Sequence, residues 1–200
     1  MNRSNQTIRL FIAAPIPPPP KLVLSQVIER LSGKIPQGVR WVNPGGIHLT
    51  IKFLGNIPPN EVTRITETMS QAAAEEPPFH VRLSGLGVFP NEIRPRVLWA
   101  GVEGDIRCLR GLQEKTESAL EAIGYPVDRR PFNPHLTLGR VRDQVNEQTR
   151  RSIGSVLSSE ELEGSEPWSV ESVDLIQTHF GTKGATYTTL ASAPLKGSQS

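Results

Sequence analysis

Apolar residues alternate from Ile8 to Ala14, which predicts a strand. The proline run Pro17 to Pro20 should end it and serve as a stiff connector. A helical stripe follows in Val23, Leu24, Val27, Ile28 and Leu31, with Gly33 where a C′ residue would sit. A long strand is expected from Arg40 to Leu54. Asn60 then reads as the N-cap of a helix whose face is Val62, Ile65, Met69 and Ala72. Two strands are expected at Phe79 to Phe89 and Arg96 to Glu103. Asp105 should cap a third helix, striped by Leu109, Leu112, Thr116, Ala119 and Ile123 and closed by Gly124.

Beyond that, the pattern gives a strand from Phe132 to Val141 and a weaker helix from Asp143 to Leu157. An acidic loop carries Glu160, Glu161, Glu163 and Glu166, and strands follow at Val170 to Thr178 and Tyr187 to Ala193. The tail from about residue 195 is expected to fray. Strands and helices interleave throughout, which indicates an α/β or α+β architecture in one domain of 200 residues. The two halves also rhyme: each has a strand, a helix ending in Gly and a strand with the same short motif. Such a duplication would build two similar lobes facing one another.

Composition narrows the function classes. Hydrophobic residues are 36% and charged residues 21%, as in ordinary globular proteins. A formal charge of +2 is too mild to coat nucleic acid, but it allows a local basic pocket for one phosphate. The one cysteine, Cys108, rules out an intrachain disulfide or a thiolate metal cluster and is expected in the core. The opening apolar run stops at Pro15, too short for a signal peptide or a membrane span, so a cytoplasmic protein is expected.

The repeated motif carries the chemistry. It reads His48-Leu49-Thr50-Ile51 in GIHLTIKFLG and His135-Leu136-Thr137-Leu138 in NPHLTLGR. By strict strand alternation His48, Thr50 and Lys52 share one face, as do His135 and Thr137, with the aliphatic residues behind them. Two of the four histidines fall in this pattern. Histidine titrates near neutrality, so one ring can give a proton while the other accepts one. Threonine hydroxyls can donate to the non-bridging oxygens of a phosphate and stabilise charge in the transition state. Two such pairs suit in-line displacement at phosphorus.

On these motifs the chain resembles the two-histidine phosphoesterase superfamily. The flanking segments IRLFIAAPIP, VRWVNPGGIHLTIKFLG, LGVFPNEIRPRVLWAGV and PFNPHLTLGRV, with a final strand pair around Gly184 and Tyr187, resemble its RNA 2′,3′-cyclic phosphodiesterase branch, also called 2′-5′ RNA ligase. The resemblance implies an α+β fold of two pseudo-symmetric lobes. Each would be a mostly antiparallel sheet with helices on its outer face, the two enclosing a central cleft. It implies that His48 protonates the departing 3′-oxygen, that His135 takes a proton from water, and that Thr50 and Thr137 bind phosphoryl oxygens. The product would be a 2′-phosphomonoester, and the reverse reaction would join ends through a 2′,5′ linkage without ATP. No metal or cofactor is called for. The expected partner is RNA with a 2′,3′-cyclic phosphate end, such as tRNA-like fragments or short oligonucleotides, met by a monomer without a membrane.

Arg130, Phe132 and Arg140 bracket the second motif in the most basic part of the chain, which also holds Arg129, Arg142, Arg150 and Arg151. Arg130, Phe132, Arg140 and Lys52 are therefore candidate substrate contacts. Trp41 and Trp99 are read as core, and His80 and His179 as outside the chemistry. Three rivals stay open: a metal hydrolase, which two histidines serve poorly; an RNA-binding module without catalysis; and a phosphodiesterase of the same superfamily for another cyclic or 2′,5′-linked nucleotide.

Overall fold

The computed structural model describes residues 6–162, 165–182 and 184–198; Glu163 of the acidic loop lies outside them. In chain order the elements are β1 (Ile8–Ala14), α1 (Pro18–Lys34), β2 (Val39–Trp41), β3 (Leu49–Ile57), α2 (Val62–Ala74), β4 (Phe79–Phe89), β5 (Val97–Gly104), α3 (Ile106–Ala122), β6 (His135–Val141), α4 (Glu147–Ser158), β7 (Trp168–Val170), β8 (Ser172–Gly181) and β9 (Gly184–Pro194). The prolines do not form a separate connector. Pro18 to Pro20 make the first turn of α1, where the backbone N–H that proline lacks would have no helical partner. Gly33 is accordingly inside α1 rather than past its end.

The strands form two antiparallel sheets, ordered β3-β1-β8-β9 and β2-β6-β5-β4-β7. This is an α+β fold. The sheets are not the two halves of the chain: β2 crosses to the second sheet, and the last two strands return to the first. The long strand expected over 40–54 is divided for this reason. A turn at Pro44–Gly46, with Asn43 Oδ1 accepting from Gly45 N at 2.9 Å, separates β2 from β3 and sends them to different sheets. Helix α2 packs on β8 and β9, α4 on β4, and α3 lies along α2 while reaching both β3 and β4. One contiguous apolar cluster runs through both sheets, including Ile12, Leu49, Met69, Leu98, Leu136 and Leu175. Among the described residues no helix is long and apolar enough to cross a membrane.

Two cap expectations changed. Asn60 sits in a short turn ahead of α2, whose N-cap position is Glu61. Asp105 occupies the N-cap of α3, but its carboxylate accepts from His80 N of β4 at 2.9 Å instead of from the helix. Gly124 closes α3 as expected, with a φ of 99° that favours glycine. The tail is held further than expected: Leu195 is buried, its N–H donates to Glu171 O at 2.8 Å, and Gly197 N donates to Glu76 O at 2.9 Å. Cys108 is only half-buried, packed against the core.

Candidate active site

Each motif opens a strand, β3 in the first sheet and β6 in the second, and these two strands approach one another directly. His48 lies just ahead of β3. Its ring stacks on Phe11 of β1, with centroids 4.6 Å apart, and meets the edge of Tyr187 of β9 at 4.7 Å. Gly46 lets Tyr187 come this close, since a Cβ there would lie 2.9 Å from the tyrosine ring. Burial lowers the His48 pKa to about 4, and the nearby charge of Lys21 adds to the effect. Lys21 Nζ is held in place by Gly45 O at 3.2 Å.

His135 meets the edge of Phe89 at 5.0 Å, and its Nδ1 lies 2.8 Å from Asn133 O. A carbonyl oxygen can only accept, so Nδ1 carries the hydrogen and Nε2 keeps the free lone pair. Burial lowers the His135 pKa below its ordinary value. The Asn133 carbonyl acts against that shift, and the charge of Arg140 acts with it.

Bulges decide which side chains accompany the histidines. Along β3, Ala13 pairs with Thr50 but Ile12 pairs with Lys52, so Ile51 is the extra residue. A bulge reverses the alternation beyond it. Thr50 stays on the face of Phe11 and Ala13, whereas Lys52 turns to the core face and Phe53 takes the cleft face. The expectation that Lys52 shares the motif's face is thus corrected. Lys52 is 3% exposed, forms an ion pair with Glu117 of α3, and donates to Pro126 O at 2.8 Å. Phe53 is 58% exposed and was missed, because nothing in the sequence marks the bulge.

The same device recurs in β6. Trp99 pairs with Thr137 and Leu98 with Gly139, leaving Leu138 as the extra residue, so Arg140 returns to the face of His135 and Thr137. Trp99, beside Thr137, is half-buried against Phe89, at 5.2 Å between ring centroids. It covers Gly87, where a Cβ would come within 2.3 Å of its ring.

A cavity of about 490 Å³ opens between the sheets. His48 and Thr137, one member of each motif, are among its walls, with Phe11, Phe53, Tyr187, Trp41, Arg9, Arg40 and Arg140. Thr50 and His135 are not wall residues; each lies two positions along its strand from a motif partner that is, on the same face. Of the candidate substrate contacts only Arg140 reaches the cavity. Arg130 is exposed and held by Asp128, with Nε 2.9 Å from Oδ1, which in turn lowers the Asp128 pKa to about 2. Phe132 packs against the core. Arg150 donates to the carbonyls of Pro95, Arg142, Asp143 and Val145, fastening the 142–145 segment. Trp41, read as core, is a wall residue; Arg40 and Lys21 were not singled out, since a lone cation carries no periodic signal. His179 bonds Thr188 at 3.1 Å across the β8–β9 hairpin, and His80 is exposed. Among the described residues no three His, Cys, Asp or Glu cluster as a metal site.

The chain is similar to known proteins over nearly its whole length. The family model described as LigT like Phosphoesterase matches twice in succession, over residues 15–99 and 103–187. The RNA 2′,3′-cyclic phosphodiesterase of Thermus thermophilus is 34% identical over 195 residues, covering 95% of this chain and 91% of that protein. That of Archaeoglobus fulgidus is 33% identical over 159 residues, covering 74% and 85%. The Geobacillus stearothermophilus protein of the same name is 32% identical over 187 residues; the match takes in 94% of this chain but only 57% of that longer relative. Among solved structures, TT0787 of Thermus thermophilus superposes with a TM-score of 0.71 at 31% identity, covering 96% of this chain and all of that one. Escherichia coli LigT, solved with 3′-AMP, shares the fold at a TM-score of 0.74 and 24% identity, covering 94% and 98%.

Proposed function

This chain belongs to the LigT-like phosphoesterase family, and from that premise we propose that it hydrolyses RNA 2′,3′-cyclic phosphate ends to 2′-phosphomonoesters. The observation that carries the reading is the convergence of His48 and Thr137, from duplicated motifs in different sheets, on the walls of one cavity.

In this mechanism His135 is the base. Its Nδ1–H is committed to Asn133 O, so Nε2 takes a proton from water as the water oxygen bonds to phosphorus. The bond from phosphorus to the 3′-oxygen breaks opposite, and His48 gives that oxygen a proton. Thr50 and Thr137 donate to the non-bridging oxygens; each such donor is worth about 10²–10³ in rate. His48 starts with the depressed pKa of a buried ring beside Lys21, and the bound phosphate anion supplies the charge that restores its proton. Run backwards with an RNA 5′-hydroxyl in place of water, the same groups would form a 2′,5′ linkage. A lone, half-buried cysteine suits the reducing cytoplasm, where a monomer would meet RNA ends.

The test is a short RNA ending in a 2′,3′-cyclic phosphate, with the product monoester identified by phosphorus NMR. The expected product is the 2′-phosphate, formed undiminished after exhaustive EDTA treatment. His48→Ala and His135→Ala should each lose about 10²–10⁴ in kcat with an unchanged circular dichroism spectrum. A 3′-phosphate product, or variants as active as the parent, would overturn the reading.

A further inference from the structure

Two buried charges take no part in the proposed reaction. Lys52 of β3 and Glu117 of α3 are 3% and 4% exposed and form an ion pair. The other buried carboxylate among the described residues, Glu76, is met by Lys115, whose side chain reaches solvent. Taking two charges out of water costs about as much as their attraction returns, so an apolar pair of similar volume would stabilise the fold equally well. What an apolar pair lacks is direction. It accepts any close packing, whereas an ammonium and a carboxylate require their partners at fixed places.

Those places lie on the approach to the second motif. Residues 123–134 join α3 to β6 without a helix or strand, and Pro126, Pro131 and Pro134 have no N–H to contribute. At the start of this connector Tyr125 N donates to Leu120 O at 3.0 Å. Beyond Tyr125, among the described residues, two hydrogen bonds tie it to elements other than β6. Lys52 Nζ donates to Pro126 O at 2.8 Å, and Glu117 Oε2 accepts from Asp128 N at 3.3 Å. Asp128 in turn accepts from Arg130 N at 3.1 Å, and further along Asn133 O accepts from Nδ1 of His135. The carbonyl that fixes the tautomer of His135 thus belongs to a connector pinned by a side chain from the strand of the first motif. Lys52 turns that way because Ile51 is an extra residue in β3.

We propose that Lys52 and Glu117 are positioning residues: by pinning the connector, their pair sets the second motif against the first and holds Nε2 of His135 where it can receive a proton from the attacking water. The proposal rests on the hydrolysis proposed above. Neither side chain touches the substrate. A misplacement of about 1 Å at a reacting group costs on the order of 10²-fold in rate. A pair with little net effect on stability can therefore have a large effect on turnover.

The test uses Lys52→Met/Glu117→Leu, which leaves no charge stranded. Its kcat should fall about 10- to 100-fold while KM stays within about twofold, the pattern of an interaction realised in the transition state. NMR of the imidazole nitrogens should show His135 as one Nδ1–H tautomer in the parent and as a mixture in the variant. In the parent the Asp128 amide should exchange slowly with deuterium, shielded by Glu117, a reading that stands even if the double variant fails to fold. Three results would each overturn the positioning role and leave hydrolysis standing: parental kcat in the double variant, a lowered kcat with the His135 tautomer unchanged, or an Asp128 amide that exchanges as fast as open chain. A parent that turns over no cyclic phosphate end, with the tautomer change still seen in the variant, would instead remove the hydrolysis and keep the pinning.

Discussion

At the scale of single residues, the site is a problem in placing one proton. In the proposed mechanism His48 carries it as the acid, yet its pKa in the free protein is about 4, through burial and the charge of Lys21. The proposed base, His135, has to be neutral, and its lowered pKa favours that form. The parameter kcat/KM reports the free enzyme and kcat the complex. The profile of kcat/KM should therefore fall as pH rises above the acidic range, while kcat, measured with the phosphate anion bound, should hold to higher pH. Lys21→Met removes a charge that disfavours the imidazolium, so the alkaline limb of kcat/KM should move up in pH. Rate profiles from pH 4 to 9 check both statements, and a limb that stays fixed in Lys21→Met would count against His48 as the acid. The motif that carries these histidines and threonines stands out in the sequence because it occurs twice. Lys21 was not, since its effect depends on a turn that carries Gly45 to its ammonium group.

At the scale of elements, the strands were legible as strands but not in their detail. Alternation read through β3 without interruption puts Lys52 beside the substrate; the extra residue at Ile51 puts it in the core. There it ties the first motif strand to α3 and to Pro126, while Glu117 also accepts from Asp128 N at 3.3 Å in the approach to the second motif. Removing one member of a buried ion pair strands the other. Lys52→Met should cost about 3–5 kcal/mol, and Lys52→Met/Glu117→Leu should recover most of it, because an apolar pair of similar volume is tolerated. Urea unfolding of the single and double variants measures this. A Lys52→Met protein as stable as the parent would mean that the pair is not held as described.

The whole molecule shows what a linear reading can and cannot see. The duplication was visible in the repeated motif, and the family model matches two successive stretches. The exchange of strands was not, because β2, β8 and β9 find their places through partners far along the chain. Neither half holds a complete sheet, so fragments 1–104 and 105–200 expressed alone should give poorly dispersed NMR spectra, while a mixture refolded together should regain the native one. A well-dispersed spectrum from either fragment would show that half to be self-sufficient.

The paired bulges bear on orientation. Up to the threonine the two strands present the same side chains, and a cradle of that kind would accept its guest either way round. Two residues past each bulge the likeness ends, with the ring of Phe53 on one side and the guanidinium of Arg140 on the other. The cleft thereby gains a head and a tail, and the irregularity in each strand would let an asymmetric molecule be seated in a single sense.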